Sequence, residues 1–157
     1  MARRTDIIAY ARTLVGTPFQ HQGRLPGVGL DCVGLLVAVA RRFELTFHDH
    51  TGYSKYPDAQ SFLRELSSGL IPIDAKEALP GDVLTFWVRH PSKPQHAALA
   101  SDRGMIHAYH SFRPVGVVEE PVSRFWRVRA TQCFRFPGLY EETHPDTFRI
   151  DWHGGKE

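Results

Sequence analysis

The stretch Gly29-Leu30-Asp31-Cys32-Val33-Gly34-Leu35-Leu36-Val37-Ala38-Val39-Ala40-Arg41-Arg42-Phe43 decides how the rest of the chain is read. Leu35, Leu36, Val39, Ala40 and Phe43 recur on one helical face, and Arg41 and Arg42 stand in the last turn, where cations suit the macrodipole. The spacing predicts a helix over 32–43. Upstream, residues 16–30 carry Gly16, Pro18, Gly23, Pro26, Gly27 and Gly29, too many punctuators for regular structure. A loop therefore delivers the chain to a helix that opens at Cys32.

Before that loop, Ile7, Ile8, Ala11, Leu14 and Val15 predict a short amphipathic helix from Thr5 to Val15, with Gly16 as its stop. After the central helix, Tyr53 to Pro57 reads as a loop. Asp58 is an N-cap candidate for a helix that turns Phe62, Leu63 and Leu66 inward and ends near Gly69. The period then changes. Leu79-Pro80-Gly81-Asp82 is a turn, and Val83 to Val88 is a run of β-formers. His96–Ala100 and Met105–Tyr109 flank Ser101-Asp102-Arg103-Gly104, which fits a type I turn. Val115 to Glu119 and Trp126 to Phe136 complete an antiparallel set. Helices first and strands afterwards predict an α+β fold, with N-terminal helices packed on an antiparallel β-sheet. Residues 1–139 are expected to form one domain, and 140–157 a polar C-terminal tail.

The length of 157 residues and the 42% apolar content suit a single core. A net charge of +2 implies no broad polyanion-binding face, so nucleic acid is not an expected partner. The apolar runs fall far short of the roughly 20 residues that cross a bilayer, so no membrane insertion is expected. The N-terminus carries Asp6, Tyr10 and Arg12 where a secretion signal needs a continuous apolar stretch, so the expectation is synthesis in the cytoplasm without a signal peptide.

Cys32 and Cys133 lie in unlike segments and do not read as a disulfide framework. At a helix start, exposed N–H groups and the dipole favour a thiolate, which suits a nucleophile. A small apolar residue buried at the same place is the competing reading. Cys133, in a strand pattern, reads as a core thiol. Nine histidines make any single one uninformative, but His96 and His107 sit on the two arms of one hairpin. A turn centred on Asp102-Arg103 pairs position i with 205 − i, which sets His107 opposite Ala98 and one diagonal step from His96. Two imidazoles can meet at that separation, giving a base and a group to orient it. Two half-buried histidines that merely fill sheet positions are the alternative. Ala97, Ala98 and Ala100 leave room for the Cys32 helix. His110 falls three residues after His107, so on a strand it points to the opposite face. No CxxC, HExxH or similar spacing supports a metal, and neither metal nor cofactor is expected. Phe86, Trp87, Trp126, Phe134 and Phe136 read as sheet packing.

Five segments together resemble the NlpC/P60 cell-wall peptidases. Gly16-Thr17-Pro18-Phe19 is similar to that family's G-x-P-Y, Asp31-Cys32-Val33-Gly34-Leu35 to its D-C-S-G-L, and Leu79-Pro80-Gly81-Asp82-Val83 to L-x-P-G-D-L. Gln95-His96-Ala97-Ala98-Leu99 resembles the segment with the catalytic histidine, and Met105-Ile106-His107-Ala108 the strand after it. The resemblance implies a papain-like α+β domain and a cysteine endopeptidase of peptidoglycan stem peptides, cutting between γ-D-glutamate and the diamino acid. It makes Cys32 the nucleophile, His96 the general base and later acid, and His107 the orienting group. The N–H of Cys32 would contribute to an oxyanion hole.

Phe19, His21, Asp31 and Val33 would meet substrate, Asp31 through the free amino group of an N-terminal L-alanine or else only as a helix cap. Phe19 and Val33 depart from the family's Tyr and Ser, so two hydroxyls are missing. His21-Gln22, Gly27-Val28-Gly29-Leu30 and the ending Phe134 to Leu139 resemble the branch of phage tails and gene transfer agents. That branch implies tail-tip or baseplate partners and carriage on a virion or phage-like tail to the wall. A non-catalytic tail-tip component and an amidase or acyl transferase on another substrate are the competing functions.

Overall fold

The structure is a computed structural model and describes residues 2–53, 58–91, 93–111 and 115–140. Its elements run β1 (Ala2–Arg3), α1 (Arg4–Thr13), β2 (Arg24–Leu25), β3 (Gly29–Leu30), α2 (Cys32–Arg42), α3 (Ala59–Ser67), β4 (Ile71–Ile73), β5 (Val83–Phe86), β6 (His96–Ser101), β7 (Gly104–Tyr109), β8 (Gly116–Glu120), α4 (Arg124–Arg127), β9 (Ala130–Arg135) and β10 (Leu139–Tyr140). The fold is mixed α and β, with a six-stranded antiparallel sheet in the order β4-β9-β5-β6-β7-β8. Helix α2 packs on β6 and β7, and α1 packs on α2.

Alternation along the strands divides the core between the two faces of the sheet. Ala97, Leu99, Ile106, Ala108, Val117 and Phe134 join Ile7, Leu35, Leu36 and Val39 on the helix side. Leu84, Phe86, Ala98, Ala100, Met105, Tyr109 and Trp126 form a second cluster. Of the three alanines expected to admit α2, Ala97 does so, and Ala98 and Ala100 belong to the other cluster.

The hairpin register follows the 205 − i rule at Leu99↔Ile106, Ala100↔Met105 and Ser101↔Gly104. Several boundaries differ from the sequence expectation. The run from Trp126 to Phe136 is not one strand: Ser123 precedes the four-residue helix α4, and β9 begins only at Ala130. Strand β5 ends at Phe86: the Trp87 N–H still donates to the Arg129 carbonyl at 2.9 Å, but those of Val88, Arg89 and His90 turn to the side-chain Oε1 of Gln95. Strand β8 is displaced by one residue and takes in Glu120. Tyr140, assigned to the tail, pairs with Arg3 in β10, and the rest of that tail, like most of the 53–57 loop, lies outside the described residues.

The Leu79-Pro80-Gly81-Asp82 turn joins the helical layer to the sheet. Gly81 has φ +96, a left-handed conformation open to glycine. Asp82, fully buried, accepts from Arg4 at 2.8 Å, from Arg135 Nε and Nη2 at 3.0 and 2.9 Å, and from the Leu79 N–H at 2.8 Å. Removing the carboxylate takes this partner from the buried Arg4 guanidinium and from Arg135, a loss that costs about 3–5 kcal/mol for buried pairs of this kind. Asp82→Ala should therefore lower the urea midpoint by that equivalent, and a loss below about 1 kcal/mol would contradict this role.

Candidate functional site

Asp31 builds the site from the loop side. As N-cap of α2 its Oδ1 accepts the Gly34 N–H at 2.7 Å, and Arg24 Nη1 lies 3.0 Å from the same oxygen. Its Oδ2 accepts the Gln22 N–H at 2.9 Å and the hydroxyl of Tyr53. One buried carboxylate thus ties the 20s loop, the Tyr53 segment and the first turn of α2 together. Gly34 is required by the same junction, since a Cβ there would stand 2.0 Å from the Gly23 carbonyl oxygen. Gln22 adopts φ 60, uncommon for a residue with a side chain, with its N–H aimed at Asp31 and its amide donating to the Tyr53 carbonyl. Burial first, and Asp31 second, push the Tyr53 phenol well up, so it remains a donor.

A cleft opens where β6 begins and β7 ends, against the N-terminus of α2. Cys32, His96, Phe19, His21, Asp31 and Val33 all line it, together with Tyr53, Gln95, Tyr109 and His110. His107 stands behind His96, and the two rings meet at His96 Nε2 to His107 Nδ1, 2.8 Å. Both histidines are buried. On its far side His107 Nε2 lies 2.8 Å from Glu120 Oε1. Trp126 stacks on His96 at 5.0 Å and 28° and meets His107 edge-on at 5.4 Å.

Four participants were not singled out in the sequence. Glu120 lies one residue past the expected strand end, Trp126 carries only a packing signal, and Arg24 and Tyr53 fall in loop sequence. Only the observed β7/β8 register brings Glu120 to His107: Met105 pairs with Glu120 and His107 with Val118. His110 follows the last residue of β7, so strand alternation does not govern it, and it faces the cleft beside Phe19 at 5.1 Å. Cys133 is buried in β9, away from the cleft. Among the described residues no three His, Cys, Asp or Glu side chains are grouped as a metal site would require.

A model of the NlpC/P60 family matches residues 16–135. The chain belongs to the NlpC/P60 family. The match takes in every cleft residue named above, and Glu120 and Trp126 as well. The chain is also similar to the crystal structure of an NLP/P60 family protein described as similar to lipoprotein, from Staphylococcus aureus. The TM-score is 0.60 at 20% identity, covering 88% of this chain and 42% of that one. Similarity to the wild-type endolysin LysIME-EF1 has a TM-score of 0.53 at 19% identity, over 87% of this chain and 65% of that one. The chain thus spans less than two thirds of either structure, and at these identities the likeness concerns the fold. No curated protein sequence matches.

The electrostatics of Cys32 differ from the sequence expectation. Although the residue keeps some surface, burial of the thiol and then the charge of Asp31 push it up to about 12, outweighing hydrogen bonds from the backbone of Ala97 and Val33. The helix terminus does not prevail. His96 is shifted well below 6.5, by burial first and then by His107 and His110. At neutral pH the free protein therefore holds a thiol beside a neutral imidazole. Iodoacetamide should alkylate Cys32 slowly at neutral pH, at a rate still rising beyond about pH 9, whereas a plateau reached below about pH 8 would indicate a preformed thiolate.

Proposed function

We propose that this NlpC/P60 domain is a cysteine endopeptidase of peptidoglycan stem peptides, with Cys32 as nucleophile, His96 as base and acid, and His107 as orienting group. The observation that carries this reading is the cleft shared by Cys32 and His96, with His107 hydrogen-bonded behind His96. The Cys32 sulfur attacks the scissile carbonyl as its proton passes to His96, because a thiol raised to about 12 needs a base within reach. The tetrahedral oxyanion forms at the start of α2, where the Cys32 N–H can stabilise it. Collapse breaks the C–N bond, and His96 returns the proton to the departing amine. Water, deprotonated by His96, then hydrolyses the thioester and regenerates the thiol. The bond between γ-D-glutamate and the diamino acid is the expected one. Carriage on a phage-like tail, with tail-tip or baseplate partners, remains part of the proposal and rests on the residues of the branch resemblance.

An ammonium of the substrate would have a competitor at Asp31. Both carboxylate oxygens already accept two donors each, and one of those donors is the Arg24 guanidinium at 3.0 Å. Arg24 also pairs with Asp49 at 2.9 Å, which holds it in place. The compensated carboxylate gives a free N-terminus little advantage. On stem tetrapeptides with free and with acetylated N-termini, kcat/KM should therefore differ by less than about tenfold. A larger preference for the free amine would return Asp31 to the role of ammonium partner.

The catalytic assignment is tested by digesting defined muropeptides and identifying fragments by mass spectrometry. Cys32→Ala should lower turnover by on the order of 10⁴ or more with an unchanged circular dichroism spectrum, and Cys133→Ala should keep it. Turnover surviving Cys32→Ala, or lost in folded Cys133→Ala, would overturn the assignment. Intact muropeptides with the wild-type protein would favour the structural tail-tip reading.

A further inference from the structure

Glu120 stands at the end of β8, on the diagonal of His107 opposite to that of His96. Met105, His107 and Tyr109 share one face of β7, and pairing of Met105 with Glu120 sets the carboxylate beside His107 from the outer strand. The result is a line across three strands, His96 Nε2 to His107 Nδ1 at 2.8 Å and His107 Nε2 to Glu120 Oε1 at 2.8 Å. Glu120 is not part of the cleft lining, and the proposed reaction does not use it.

A carboxylate can only accept, so the proton of the outer contact sits on His107 Nε2. A neutral His107 then has a bare Nδ1, which accepts. The proton of the inner contact therefore belongs to His96 Nε2, and the nitrogen left bare on His96 is Nδ1. Reversal of this order would place the His96 proton on Nδ1 and leave no lone pair for the thiol. We propose that Glu120 is a positioning residue that fixes the tautomers of both histidines, so that His96 keeps Nδ1 free as the base for Cys32. The proposal rests on the reading of Cys32 and His96 given above.

Two further observations agree with it. The hydrogen bond from His107, ahead of the opposing effect of burial, leads the interactions that hold the Glu120 carboxyl below its usual range, and one with the Trp126 side chain adds to it. Glu120 is thus an acceptor at neutral pH. Trp126 touches both ends of the line, since it also stacks on His96. Among the described residues, the titratable groups facing the pair are Cys32 from α2, Tyr109 of β7, His110 just after it and Glu120 of β8, while β5 and α4 present Phe86 and Trp126.

The test combines long-range ¹H–¹⁵N correlations of the histidine rings with kinetics on a stem peptide, for wild type, Glu120→Ala and Glu120→Gln. In wild type at neutral pH, both His96 and His107 should carry their proton on Nε2. Glu120→Ala should populate the reversed tautomers and lower kcat by about 10²-fold at nearly constant KM. Glu120→Gln can still accept through its amide oxygen and should retain more activity. Its acid limb should move to lower pH, because the charge that favours an extra proton on the pair is gone. A residue that only supports folding would lower the plateau without moving the limb or the tautomers. A wild-type spectrum with the His96 proton on Nδ1, or with a doubly protonated His107, would overturn the proposal, as would unchanged tautomers and kcat in Glu120→Ala. If Glu120→Ala does not fold, the wild-type spectrum and Glu120→Gln decide. The expected tautomers in a protein without hydrolytic activity would instead count against the proposed function alone.

Discussion

The contact on which the site depends is the 2.8 Å hydrogen bond between His96 and His107 across the β6/β7 hairpin. Side chains alternate along a strand, so a slip of one residue in either arm would send one of these rings to the other face. The two-residue turn at Asp102-Arg103 sets the register, and burial of the small residues Ala97, Ala98, Ala100 and Ala108 holds it. Burying two imidazoles is unfavourable unless their polar nitrogens are satisfied. Here His107 meets His96 on one side and Glu120 on the other, while Trp126 covers the pair. The same burial keeps His96 neutral, the form in which it can accept a proton.

The second half of the site is held by a different device. Asp31 caps α2 and gathers donors from Gln22, Arg24, Gly34 and Tyr53, so the helix that presents Cys32 cannot move independently of the loop forming the other cleft wall. The arrangement raises the thiol, because the nearby carboxylate opposes a second negative charge. In the proposed reaction this makes proton transfer to His96 part of the attack.

What was legible in the sequence follows from the range of the forces involved. The helix at Cys32, the Asp58 cap and the hairpin register are local: periodicity, side-chain capping and turn length specify them, and the structure has α2 at Cys32–Arg42, a cap accepting from the Ser61 N–H, and the expected pairing. Trp126 is not placed by its local sequence, since Trp-Arg-Val-Arg-Ala-Thr-Gln reads as β-formers, whereas the chain first makes a turn of helix that sets the indole over the histidines. Glu120 carries no local signal, because its role depends on a third strand whose register no turn motif announces. Asp31 as the cap of α2 is legible, and its side chain accepts from the Gly34 N–H, but its loop partners are not, for the same reason. Arg24 and Tyr53 are separated from it by 7 and 22 positions, and only the folded loop brings them together.

Reversible blocking of the cleft thiol tests the central claim most directly. Methyl methanethiosulfonate would be used to titrate the folded protein, and the fraction of Cys32 modified, read by peptide mass mapping, would be compared with residual cleavage of a stem peptide. Activity should fall in proportion to the fraction of Cys32 blocked, reach zero at full modification and return on reduction with dithiothreitol. Cleavage that persists with Cys32 fully blocked would contradict the account.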